Sequence, residues 1–197
     1  MGANDFFNEL AEKWDEINRY PMEKLEIMLD KLGIKPGDTV LDTGSGTGIL
    51  LPLIMKRTGA ENIYAIDAAE KMTEKAKSKF SGTAINFITA DVLEYPFINV
   101  FFDHIICYSV FPHFEEKRAI IKKLSFLLKT GGLLSILHSS ARAKINKTHA
   151  HIPSHGINSD FLLPAIEYIP LFNRNNLKEE IVIDNDDMYM LCGRKVK

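Results

Sequence analysis

The sequence predicts an α/β fold in which a mainly parallel sheet is covered on both faces by helices, and three observations support it. Short apolar runs of strand character alternate with helical stretches from residue 39 to residue 138, which is how successive βαβ units read in sequence. The first run leads directly into the glycine loop Gly44-Ser45-Gly46-Thr47-Gly48. Each of the first three runs also ends in, or just before, an aspartate: Asp42, Asp67 and Asp91.

The elements follow in order. From Asp5 to Leu32, Phe6, Leu10, Trp14 and Ile17, then Leu25, Met28, Leu29 and Leu32, recur at helical spacing, with a break at Tyr20-Pro21; this predicts two helices. Gly33 stops the second, Pro36-Gly37-Asp38 makes a turn, and 39–42 is a buried strand. After the loop come a helix over 49–57, a strand over 62–67, a helix over 70–79 and a strand over 85–89. Further strands are expected over 102–107 and 133–137, the latter after a Gly131-Gly132 turn, with a helix over 117–128 between them. Such an alternation needs a sheet buried on both faces. Beyond His138 the rhythm changes. Helices are expected over 141–150 and 160–168, then strands over 180–183 and 188–192 joined by the acidic turn Asp184-Asn185-Asp186-Asp187, a hairpin that closes the sheet.

At 197 residues one core suffices, so a single domain over 1–197 is expected. Within it, 1–35 would form an N-terminal helical lid and 138–176 a helical insertion. Lysines and arginines number 24 against 26 acidic residues, a net charge of −2, so the chain as a whole offers no attraction for nucleic acid or an anionic membrane. No apolar run is long enough to span a bilayer and the start lacks a basic, apolar leader; a cytoplasmic location is expected. Cys107 and Cys192 stand far apart in apolar surroundings and read as reduced core residues.

The glycine loop invites two ligands. A dinucleotide fold uses G-x-G-x-x-G, whereas the spacing here is G-x-G-x-G. Asp42, immediately before the loop, would repel a pyrophosphate but suit the ammonium of an amino acid. Asp67 ends the second strand where its two oxygens can accept a pair of ribose hydroxyls, and Asp91 ends the third where it can accept from an adenine amino group.

These residues resemble the class I S-adenosylmethionine-dependent methyltransferases, in their small-molecule branch. The resemblance runs through Val40 to Gly48, Ala65-Ile66-Asp67, Ala90-Asp91-Val92, Phe102 to Cys107 and Leu128 to Gly132, with Thr130 where the family usually has proline; the opening Phe6 to Asp15 is similar to the lid helix of that branch. It implies a Rossmann-like doubly wound sheet of strand order 3-2-1-4-5-7-6, with strand 7 antiparallel. It implies S-adenosyl-L-methionine as cofactor, bound by Asp42, Thr43, Gly44, Ser45 and Gly46 at the methionine end. Asp67 and Ala68 would hold the ribose, Asp91 and Val92 the adenine, and Cys107 and Tyr108 would line the fourth strand's end. Met72 packs on the base or is a plain core residue.

A small-molecule methyl acceptor is implied. The segment after strand four, Tyr108 to Phe114, carries no Asn/Asp-Pro-Pro-Tyr motif, which disfavours amino groups of DNA bases or glutamine. Candidate bases are His113 and His138. Trp14 and Tyr20 are candidate lid residues, and Arg142, Asn146 and His149, at i, i+4 and i+7, share one helix face and are candidate acceptor contacts. His151 and His155 have the spacing of a helical metal pair, but Pro153 lies between them, so no metal site is expected. A protein that binds S-adenosylmethionine without transferring methyl, as a sensor or partner subunit, is the alternative.

Overall fold

The computed structural model describes residues 3–18, 20–151 and 161–197, except the side chains of residues 3 and 149–151. The N-terminal helices are α1 (Ala3–Leu10), α2 (Trp14–Ile17) and α3 (Met22–Leu32). Then come β1 (Val40–Thr43), α4 (Leu51–Thr58), β2 (Ile63–Asp67), α5 (Glu70–Lys79), β3 (Asn86–Thr89) and β4 (Phe102–Tyr108). α6 (Lys117–Leu127), β5 (Leu128–His138), α7 (Arg142–His151), α8 (Ala165–Arg174), β6 (Leu177–Asp184) and β7 (Tyr189–Lys195) complete it.

Among the described residues seven strands form one sheet in the order β3-β2-β1-β4-β5-β7-β6. β1 to β5 are parallel, and β7 runs antiparallel to both β5 and β6. Alternation of side chains along each strand sends successive residues to opposite faces. Leu41, Ile105, Leu134 and Leu191 therefore join one apolar layer with residues of α6 and α8. Val40, Ile106, Leu133 and Met190 join the other with residues of α3 and α4.

The first of the two expected N-terminal helices is split into α1 and α2 by a tighter turn at Ala11–Lys13. Two further elements differ from the sequence reading, and proline and glycine geometry explains both. β5 starts at Leu128, not after Gly131-Gly132: Phe102 pairs with Leu128 while His104 pairs with Leu133, so the extra residues are absorbed in a bulge. Gly131 takes φ +83°, and a Cβ on Gly132 would lie 2.9 Å from two backbone oxygens, which only glycine accommodates. The helix expected over 160–168 is instead α8. Pro164, at φ −49° and ψ 139°, is its N-cap. Proline also disfavours helical backbone at the residue before it, so the helix cannot begin upstream.

Candidate functional site

The chain leaves β1 for β2 on one side of the sheet, while β4 leads to β5 on the other, so the order reverses between β1 and β4. A crevice at the carboxyl ends of those strands follows from this topology. The cleft found there is lined by Asp42, Gly44, Ser45 and Gly46 from β1 and its loop, Asp67, Ala68 and Met72 from β2 and α5, and Asp91 and Val92 after β3; Tyr108 ends β4 and His113 follows it.

The three loop glycines differ in purpose. All have positive φ, but a Cβ at Gly44 would sit 2.3 Å from the Val110 side chain, and one at Gly48 would lie 2.7 Å from Leu51 and from Phe80. At these two positions it is the protein's own packing that excludes a side chain. Gly46 at φ +54° has nothing within 4 Å of its would-be Cβ, leaving open space before the backbone. Gly44→Ala is expected to destabilise the fold by about 1–3 kcal/mol through strain and the clash with Val110, measured as a lowered denaturation midpoint; an unchanged midpoint would contradict the packing described.

The carboxylates are set at graded depth. Asp42 is only 2 % exposed, and burial, reinforced by the neighbouring charge of Asp67, pushes its pKa up to about 8. Asp67 is half-buried; one of its oxygens accepts from Gly46 N (2.8 Å) and the other from Ala69 N (2.8 Å). Burial raises its pKa while those two bonds oppose the shift. Asp91 is exposed and accepts from Leu93 N at 2.7 Å. A buried carboxylate with no cation beside it among the described residues, next to a glycine with open space before it, suits a ligand that brings an ammonium. These residues fit the methionine part of S-adenosylmethionine.

The N-terminal segment roofs the cleft. Asn4, Phe7, Trp14 and Tyr20 line it, Phe7 packs edge-on against Trp14 at 5.6 Å and His113 at 5.3 Å, and Met72 packs with Ala11 and Ala69 beneath Phe7 and Trp14. Three residues of α5 four apart, hence on one helix face, hold this roof. Lys71 N donates to Asn8 Oδ1 (2.9 Å), Lys75 Nζ to the Glu12 carbonyl, and Lys79 Nζ to Asp15 Oδ2 (2.8 Å). Asp15 also accepts from the hydroxyl of Thr47 in the glycine loop, which ties roof to loop. Asp15→Ala is expected to speed ligand release about tenfold by freeing both contacts; an unchanged release rate in stopped-flow would contradict the tie.

Other residues singled out in the sequence lie apart from the cleft. Thr43 and Cys107 are fully buried; the Thr43 hydroxyl donates to Ile106 O (2.9 Å) and lies 3.0 Å from Cys107 Sγ, linking β1 to β4. His138 stacks edge-on against Tyr189 at 6.0 Å. Leu137 pairs with Tyr108, so the next residue, His138, faces the opposite side of the sheet. Arg142 pairs with Asp184 at 3.0 Å. Asn146 donates to Leu162 O (3.0 Å) and accepts from Leu162 N (2.8 Å), holding the chain before α8. Of the expected Arg142, Asn146 and His149 stripe, the first two members tie α7 to neighbouring segments. The side chains of His149, His151 and His155 lie outside the described residues. Among the described histidines only His113 lines the cleft.

A second cleft, which sequence reading missed, adjoins the first. It is lined by Asn18, Tyr20, Pro21 and Lys24, by Tyr108 and Ser109, by Ser139, Ser140, Ala141 and Lys144, and by Asp186 and Asp187. Tyr20, Tyr108 and Ser109 line both clefts. Ser109 holds φ +55°, a left-handed conformation rare for a residue with a side chain and concentrated at functional sites.

The geometry agrees with comparisons to known proteins. Residues 40–132 match the family model of the methyltransferase domain. The chain is 32% identical over 129 residues to an uncharacterized methyltransferase of Geobacillus sp. (strain WCH70), covering 64% of this chain but only 59% of that protein's length. The complex between the Haloferax volcanii Trm112 methyltransferase activator and a methyltransferase contains a chain with TM-score 0.80 at 18% identity, covering 97% of this chain and 98% of that one. Magnesium protoporphyrin IX methyltransferase of Synechocystis PCC 6803, with bound S-adenosylhomocysteine, gives a TM-score of 0.70 at 20% identity over 98% and 97% of the two chains. Over residues 40–132 the chain is similar to the methyltransferase domain family, and over nearly its whole length it has the fold of these solved methyltransferases.

Proposed function

We propose that this chain is an enzyme that transfers the methyl group of S-adenosylmethionine to a small-molecule acceptor. The reading rests above all on three aspartates at or beside three successive strand ends, all lining one roofed cleft that shares Tyr20, Tyr108 and Ser109 with a second. That the Synechocystis relative is named for a porphyrin substrate also favours a small acceptor. No helix among the described residues is long and apolar enough to cross a membrane.

When bound, the cofactor would supply an electrophilic methyl carbon to an acceptor lone pair, with its own sulfur as the leaving group. The chain's own residues would act mainly by position, holding the reacting atoms in line and keeping water out. Asp42 would accept from the ammonium. Asp67 would meet the ribose hydroxyls with the lone pairs not used by Gly46 and Ala69, while Asp91 and Val92 would flank the adenine above Met72. Phe7 and Trp14 would shut out water, and His113 would be the group in reach to take a proton.

Transfer of tritiated methyl from the cofactor into a fractionated cell extract tests this reading. Label is expected in the low-mass fraction. Label in protein or nucleic acid would overturn the small-molecule acceptor, and tight cofactor binding without any transfer would favour a sensor.

A further inference from the structure

We infer that the second cleft is the acceptor site and that it takes a small polar molecule of no net charge, an inference that rests on the methyltransferase reading above. Its walls come from four parts of the chain: the approach to α3, the end of β4, the stretch from β5 into α7, and the β6–β7 turn. Lys24, in the first turn of α3, binds three of those walls together. Its ammonium donates to Ser139 O (3.3 Å), Asp187 O (3.2 Å) and the Asp187 carboxylate, so its three donors are spent on the protein and it holds shape instead of gripping a ligand.

Hydroxyls dominate what remains. Tyr108 Oη and Ser139 Oγ lie 2.8 Å apart, and Ser109 and Ser140 line the same space. Each hydroxyl both donates and accepts. An apolar acceptor would strip water from the donors and acceptors these hydroxyls still have free and leave those unsatisfied, at about 1–3 kcal/mol for each one buried, whereas a polar acceptor replaces that water bond for bond. The charges decide the rest. Two lysines, Lys24 and Lys144, face two aspartates, Asp186 and Asp187, so the formal sum is zero and the cleft has no net attraction for a phosphorylated or otherwise polyanionic acceptor. Tyr20, Tyr108 and Ser109, shared by both clefts, form the neck through which the acceptor's reacting atom reaches the methyl. The left-handed Ser109 is the residue on which that neck turns.

The test uses the isotope-labelled protein loaded with S-adenosylhomocysteine, followed by amide chemical shifts during titration with a defined fragment set. That set holds polyols, small amides and amino acids on one side, and alkyl quinones and sugar phosphates on the other. The neutral polar fragments are expected to shift the amides of Ser109, Ser139, Ser140 and Lys144. A Ser139→Ala, Ser140→Ala variant, altered only in the second cleft, should bind them about tenfold more weakly while still binding S-adenosylhomocysteine. Stronger shifts of those amides by quinones or sugar phosphates would overturn the proposal, as would shifts confined to other surfaces, or no shifts from any fragment. Failure of S-adenosylhomocysteine itself to bind would instead overturn the methyltransferase reading.

Discussion

Asp42→Asn is expected to give a protein that is more stable yet binds S-adenosylmethionine far more weakly. Burial and the Asp67 charge raise the Asp42 pKa to about 8, well above the roughly 3.9 of a carboxyl in an unfolded chain. The folded state therefore holds a proton that the unfolded state has released. Stability contributed by this group is full below pH 4 and declines as pH rises towards 8. An amide does not titrate, so the variant should lose that slope and gain on the order of 3 kcal/mol at pH 8.

Ligand binding runs the other way. An ammonium beside Asp42 favours the carboxylate, so binding must expel the proton wherever the free protein holds one, and affinity should fall by up to about tenfold for each pH unit below 8. The loss in Asp42→Asn should then be about 100-fold at pH 8 and much smaller at pH 6, where the native carboxyl is already neutral. Calorimetry in buffers of different ionisation enthalpy reads the expelled proton directly. Zero proton release at pH 6.5 would show that no cation faces this residue.

The second large effect belongs to Asp67. Its carboxylate orders Gly46 and Ala69 through their N–H groups while its remaining lone pairs face the cleft. Asp67→Ala removes an acceptor for two ribose hydroxyls and loosens the loop that frames the cleft. We expect affinity to fall by about 100-fold or more. Asp67→Asn, which keeps one acceptor oxygen, should recover part of that loss, and equal affinity in wild type and Asp67→Ala would place the cofactor elsewhere.

Strand order and strand ends were legible because they depend on local signals. Apolar runs and helical periodicity repeat along the chain, an aspartate stands at or beside the end of each of the first three strands, and the resemblance supplied the order. Proline and glycine geometry set the limits: Pro164 moved a helix start, and Gly131-Gly132 turned an expected turn into a bulge within β5. The acceptor side was harder to read. Helical spacing placed Arg142 and Asn146 on one face but gave no sign of what that face would meet, and Asp184 and Leu162 took them. His138 and Tyr108 both end strands, yet only the register shows that they face opposite sides of the sheet. The second cleft draws its walls from four separated stretches, and the left-handed backbone of Ser109 leaves no mark in a sequence.

The most direct measurement is a calorimetric titration of the wild-type chain with S-adenosylmethionine, S-adenosylhomocysteine and NAD at pH 8. The three carboxylates should give saturable one-to-one binding of the first two and none of NAD, whose pyrophosphate Asp42 repels. Preferential binding of NAD would contradict the assignment of this cleft.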